Sequence, residues 1–267
     1  MTGMILCYEH GHLSERKTFR AALSIESAAA PVLSLVGAGG KTTTALHLAQ
    51  EYVQNRIPVA VTASTHMHVW EEPWFLLTES EEQFEQILQT EGQVWFGLPA
   101  VRKSREDIPK MQPVSRAFFS YVADRKIPMI VEADGARRMP CKAPGEQEPV
   151  LYRETTDVLA VYGLDAVGRT IEEVCFRPEI VAKILQKSVS ECLMPEDVAH
   201  LALSRRGGRK NVLSKHRYCV ILNKADSRSR LETAERICKE IRSKENVQVL
   251  VTADKKARRS CRHEDID

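Results

Sequence analysis

Short apolar runs alternate with longer amphipathic stretches along most of the chain. Residues 31–36 (PVLSLV) form a continuous apolar run that leads straight into glycines, the pattern of a buried strand. Residues 42–54 then place Ala45, Leu48, Ala49, Tyr52 and Val53 on one helical face. The same alternation predicts strands at 58–63, 93–96, 128–131, 158–161, 218–222 and 247–251. Helices are predicted at 81–88, 114–124, 179–186, 195–203 and 231–241. The helix at 195 opens with Pro195 at its first position and Glu196 and Asp197 in its first turn. Short strands alternating with helices imply βαβ units on a mainly parallel, twisted sheet. The expectation is one doubly wound α/β domain of six or seven strands over residues 30–254. An N-terminal extension, 1–29, and a charged tail, 255–267, would flank it. Two segments, 133–152 and 205–214, follow no period and read as loops.

Composition narrows the function classes. The chain has 267 residues, 43% of them hydrophobic and 28% charged, which suits a globular domain. Thirty-eight basic residues face 36 acidic ones, a net charge of +2, so neither a nucleic-acid coat nor an acidic membrane surface is indicated. The seven cysteines are scattered, with no C-x-x-C pair, so neither a disulfide framework nor a zinc finger is supported; a reducing cytoplasm fits. No apolar run approaches the ~20 residues of a membrane span. The first residues do not resemble a signal peptide.

The segment Gly37-Ala38-Gly39-Gly40-Lys41-Thr42-Thr43 follows a predicted strand and opens a predicted helix. Glycines let backbone N–H groups turn toward anionic oxygens, and the helix adds its positive end. Lys41 would reach the β- and γ-phosphates of a nucleoside triphosphate, and Thr42 would supply a hydroxyl to Mg²⁺. The full pattern G-x-x-x-x-G-K-[ST] wants glycine at position 35, where this chain has Leu35. The loop is the shortened G-x-x-G-K-T-T type, similar to that of the Mur ligases, which bind ATP. A P-loop NTPase-like three-layer sandwich is the fold this implies. The bland alternative is a glycine-rich turn with a solvent lysine.

Two more motifs follow strands. Met129-Ile130-Val131-Glu132-Ala133-Asp134 delivers two carboxylates at a strand end. Asp134 is the candidate for the Mg²⁺ shell and Glu132 for a base that orients water; simple helix capping is the alternative. Asn223-Lys224-Ala225-Asp226 is N-K-x-D, the pattern with which GTP-binding proteins read guanine. Aspartate accepts from N1–H and N2–H₂ of guanine, donors that adenine lacks on that edge, so GTP is favoured over ATP. A plain turn with cap residues is the alternative. In open α/β sheets ligands gather at the carboxyl ends of strands, where all three motifs fall. His66 and His68 are spaced for a metal on an extended segment, although a neutral surface pair reads as well. The loop from Arg137 to Lys142, including Cys141, gathers cations that would suit a second anionic substrate or solvent.

Taken together these residues resemble the YqeC family. The likeness rests on V-G-A-G-G-K-T-T (36–43), V-T-A-S-T-H-M (61–67), E-A-D-G-A-R (132–137), K-A-P-G-E-Q-E-P (142–149), G-L-D-A-x-G (163–168), C-F-R-P-E (175–179) and L-N-K-A-D (222–226). That family is described as probable accessory proteins of selenium-dependent molybdenum hydroxylases or of selenium-cofactor biosynthesis. The resemblance implies a role in maturing a molybdenum hydroxylase or its cofactor, and it brings no established reaction. Three functions follow as expectations. One is a Mg²⁺-dependent hydrolase of ATP or GTP that gates maturation. The second is a phosphotransferase or ATP-dependent ligase acting on a small anionic acceptor. The third is a nucleotide-sensing partner without turnover.

Overall fold

The structure is a computed structural model, and it describes residues 3–28, 30–101 and 108–253. A hairpin of β1 (Met4–Glu9) and β2 (His12–Glu15) precedes helix α1 (Phe19–Ala22). Strand β3 (Val32–Gly37) leads into helix α2 (Lys41–Gln54), and β4 (Val59–Ala63), β5 (Met67–His68) and β6 (Phe75–Leu76) follow. Next come α3 (Glu81–Glu91), β7 (Gln93–Phe96), β8 (Leu98–Pro99), β9 (Lys110–Gln112), α4 (Arg116–Asp124) and β10 (Met129–Glu132). The last part of the described chain holds β11 (Cys141–Lys142), β12 (Asp157–Gly163), α5 (Ile171–Val174), β13 (Cys175–Phe176), α6 (Pro178–Leu185) and α7 (Pro195–Leu203). It closes with β14 (Arg217–Asn223), α8 (Arg228–Lys244) and β15 (Gln248–Ala253).

Ten strands form the main sheet, in the order β2-β1-β15-β14-β12-β3-β10-β4-β7-β6. From β15 to β6 every pairing is parallel, whereas β1 runs antiparallel to β15 and β2 antiparallel to β1. The expected six or seven strands become ten. Each strand predicted from an apolar run is present. The added ones are β6, two residues long and too short to show a period, and the edge hairpin, which lies within the segment read as an N-terminal extension.

Period-two alternation sends successive side chains of a strand to opposite faces, and here both faces are covered. Leu33 and Leu35 of β3, Leu159 and Val161 of β12, and Ile221 of β14 pack with Ala45, Leu48 and Tyr52 of α2 and Phe19 of α1. On the opposite face Val158, Ala160, Val220 and Leu222 meet Val198 and Leu201 of α7 and Ile237 and Ile241 of α8. Farther along that face Val131 and Val94 pack against Phe84 of α3 and Phe118 of α4. The result is a mixed α/β fold with a large, mostly parallel sheet between helical layers. Among the described residues no helix is long and apolar enough to cross a membrane.

Candidate functional site

Because the central strands are parallel, Gly37, Ala63, Glu132, Gly163 and Asn223, each the last residue of its strand, end at one edge of the sheet. The glycine loop between β3 and α2 lies there, braced on three sides. Gly37 N–H donates to Asp134 Oδ2 at 3.0 Å. Ala38 N–H donates to Val161 O at 2.9 Å, and Gly39 N–H to Met139 O at 3.1 Å. Gly39 has φ +76° and sits so close to its neighbours that a Cβ there would lie 2.2 Å from Gly163 N and 2.6 Å from Pro140 O. Amides 37 to 39 are therefore spent on the protein. The first turn of α2 carries further N–H groups, which a helix cannot satisfy internally.

Lys41 is 4% exposed and folds back over the loop, donating to Gly37 O at 2.7 Å. Its Nζ lies 3.0 Å from Asp134 Oδ1 and 3.7 Å from Glu132 Oε1. Burial works against its charge, but Asp134 and Glu132 outweigh burial and hold its pKa above the ordinary lysine value. Glu132 ends β10 and Asp134 lies two residues beyond it; because β10 pairs directly with β3, the strand order itself sets both carboxylates beside the loop. The hydroxyl of Thr42 donates to Glu132 Oε2 at 2.9 Å. Burial raises the pKa of Glu132 despite Lys41 and Thr42. The metal hydroxyl expected of Thr42 thus faces Glu132, while Asp134 is taken up by lysine and backbone.

Lys142 approaches Asp134 from the other side. Its Nζ is 3.0 Å from Asp134 Oδ2 and donates to Gly135 O at 2.6 Å and to Glu148 Oε2 at 2.7 Å. Glu148 in turn accepts two hydrogen bonds from Arg177, at 2.7 and 3.0 Å. Burial pushes Glu148 up, yet Arg177 and Lys142 overcome it and hold its pKa down at about 2. The scaffold for this group is the pair β11–β13, which aligns Cys141 with Cys175 and Lys142 with Phe176. Both thiols are free and buried, and the contact with Cys175, together with burial, keeps Cys141 well above the usual thiol value. The guanidinium groups of Arg137 and Arg177 lie 5.1 and 4.3 Å from the Phe176 ring centre.

The base motif is attached to the same loop. Asn223 Nδ2 donates to Gly39 O at 2.9 Å, and its Oδ1 accepts from Thr252 at 3.0 Å. Lys224 pairs with Asp165 at 2.6 Å, and Asp226 with Arg230 at 2.5 Å, one turn along α8. Thr43 lies one residue past Thr42 in the first turn of α2. Among the described residues no group of three or more His, Cys, Asp or Glu side chains is arranged to hold a metal, His66 and His68 included. Sequence reasoning passed over Glu148, Asp165 and Thr252. The signal for Glu148 and Asp165 lay only in the segments K-A-P-G-E-Q-E-P and G-L-D-A-x-G, and Thr252 lies in no motif; their chemistry is invisible until the partners are adjacent.

A family model described as YqeC protein matches residues 33–179, more than half of the chain, so the chain belongs to the YqeC family. An Escherichia coli (strain K12) relative described as "Uncharacterized protein YqeC" is 28% identical over 183 residues, which cover 68% of this chain and 71% of the relative.

Proposed function

We propose that the chain is a P-loop nucleotide-binding protein that takes a purine nucleoside triphosphate with Mg²⁺ at the loop 37–43 and hydrolyses it. The observation that carries this reading is the buried Lys41 ammonium, folded onto Gly37 O between two carboxylates at the end of the adjoining strand. A buried lysine with a mobile stem at a helix N-terminus is a phosphate contact held in reserve. A phosphate oxygen would replace Gly37 O, and the first-turn amides of α2 would donate to the same group.

Thr42 and Glu132 are the residues that fit Mg²⁺. Both offer hard oxygen ligands, they already touch, and Mg²⁺ is commonly held by one or two carboxylates together with substrate phosphates. The metal would neutralise charge on the phosphates. Asp134, the candidate for the Mg²⁺ shell from its place after β10, pairs with Lys41 at 3.0 Å and would act on the phosphates through it. Asn223 couples the base loop to the phosphate loop through Gly39, and Asp226 supplies the guanine-selective carboxylate once Arg230 yields it. Family membership and the motifs that carry it support a place in maturing a selenium-dependent molybdenum hydroxylase or its cofactor, with that enzyme as partner.

Isothermal titration with Mg²⁺·GTP and Mg²⁺·ATP, followed by phosphate release, tests the proposal. The wild type should bind GTP more tightly than ATP and release phosphate. Lys41→Ala should weaken binding at least tenfold, and Asp226→Asn should erase the preference between bases. Equal affinity of the Lys41→Ala protein and the wild type would sink the nucleotide reading. Tighter ATP binding by the wild type would remove the guanine assignment. Binding without release would leave a sensor, and release only with an added acceptor would point to transfer.

A further inference from the structure

A second buried lysine shares Asp134 with Lys41. Lys142, 2% exposed, spends its ammonium on Asp134, Gly135 O and Glu148. Two of its N–H donors go to Gly135 O and Glu148 Oε2, and its charge pairs with Asp134 Oδ2 at 3.0 Å, so the ammonium is held among protein partners. Asp134 is divided in the same orderly way. Its Oδ1 faces Lys41, and its Oδ2 faces both Lys142 and the Gly37 amide. Continuing outward, Glu148 joins Lys142 to Arg177. Charges therefore alternate without a gap from Lys41 through Asp134, Lys142 and Glu148 to Arg177.

The consequence concerns the cost of moving Lys41. To meet a phosphate, its ammonium must let go of Gly37 O and of Asp134 Oδ1. A buried carboxylate stripped of its single cation is strongly unfavourable. Asp134 would not be stripped, because Lys142 and the Gly37 amide remain on Oδ2. Lacking Lys142, Asp134 would keep the Gly37 amide but have Lys41 as its one remaining cation, and would compete with the phosphate for it.

We infer that Lys142 is a positioning residue that frees Lys41 for phosphate by holding Asp134 in its place. The inference rests on the reading that Lys41 binds nucleotide. It assigns Lys142 no contact with the ligand. Its effect on affinity must then pass entirely through Asp134, which a second phosphate-binding lysine or a generally structural lysine would not require.

A double-mutant cycle decides the matter, with titration calorimetry of a non-hydrolysable Mg²⁺·GTP analogue as the readout and circular dichroism to confirm folding. Lys142→Met should weaken binding at least tenfold in the wild-type background. The same substitution made in an Asp134→Asn protein should change affinity by less than twofold, because the carboxylate that retained Lys41 is gone. Equal losses in both backgrounds would overturn the inference, and so would an affinity for Lys142→Met within twofold of wild type. If Lys142→Met does not fold, Lys142→Gln, which keeps an N–H for Gly135 O, takes its place in the same cycle with the same expected outcomes. A wild type that binds no nucleotide, or a Lys41→Ala protein that binds as well as wild type, would mark failure of the nucleotide reading itself. Loss of binding in Lys41→Ala with none in Lys142→Met would remove only the role of Lys142.

Discussion

At the scale of single residues the glycine loop is fixed by contacts that leave no room for a side chain. Gly39 combines a left-handed φ of +76° with backbone atoms of Gly163 and Pro140 inside any Cβ position. Alanine there would force β12 or the turn at Pro140 away from the loop, and neither can rotate aside as a side chain would. Gly39→Ala should therefore fold with lowered stability, by about 1–3 kcal/mol, and lose nucleotide binding, as urea unfolding and titration would show. Binding and stability both at wild-type level would mean that the loop is not held as described. Lys41, Thr42 and Asn223 were legible from the sequence, because each belongs to a motif whose residues are neighbours along the chain. The pairing of Asp134 with two lysines was not. The proximity of Asp134 to β3 was readable, but its two lysine partners arrive from opposite sides, and nothing in E-A-D-G tells a metal carboxylate from a lysine clamp.

Elements rather than residues decide how the segment from Ala133 to Tyr152 is held. It follows no hydrophobic period and reads as loop, yet its side chains Lys142 and Glu148 are among the most constrained near the site. The constraint comes from β13 and the start of α6, some 30 residues later, through Phe176 and Arg177. Such long-range pairing leaves no mark on local periodicity, which is why helices and central strands were readable and this strap was not. Its fastening has a pH signature. Glu148 titrates near 4.5 in the unfolded chain and at about 2 in the folded one. A depressed carboxylate stabilises the fold above the unfolded value, and that contribution fades as pH falls from 4.5 toward 2. The shift corresponds to roughly 2–4 kcal/mol. Glu148→Gln should be less stable than wild type by about this amount at pH 7. The gap should close progressively below pH 4.5 in denaturant unfolding measured at several pH values. A gap of the same size at pH 7 and pH 2.5 would show that the Arg177 and Lys142 contacts do not depend on the charge of Glu148.

For the whole molecule the decisive question is where the sheet ends. Pattern reading set the domain boundary near residue 30, because the strongest strand and helix signals begin there. The structure instead pairs β1 with β15 from Met4 to Cys7 and buries Ile5, Cys7 and Tyr8. The glutamate that anchors this region is itself part of the helix that follows the glycine loop. Glu51 of α2, 2% exposed, accepts from Phe19 N–H at 2.7 Å and Arg20 N–H at 3.1 Å, at the start of α1. The N-terminal segment is thus bound both to the sheet edge and to α2. Removing residues 1–16 would take away two strands and leave β15 with a bare edge of unpaired N–H and C=O groups. Its own residues Leu250 and Val251 are fully buried in the intact molecule. Long apolar edges invite pairing with other chains. The shortened protein should therefore unfold at lower denaturant concentration and sediment as oligomers or aggregates at concentrations where the full chain does not. A shortened protein that stays monomeric, with unchanged unfolding and nucleotide affinity, would restore the boundary at residue 30 and reduce the hairpin to an appendage. The physical reason to expect otherwise is that β14 and β15 frame Asn223 through Thr252, so a sheet loosened at β15 loosens the segment from Asn223 to Asp226 as well.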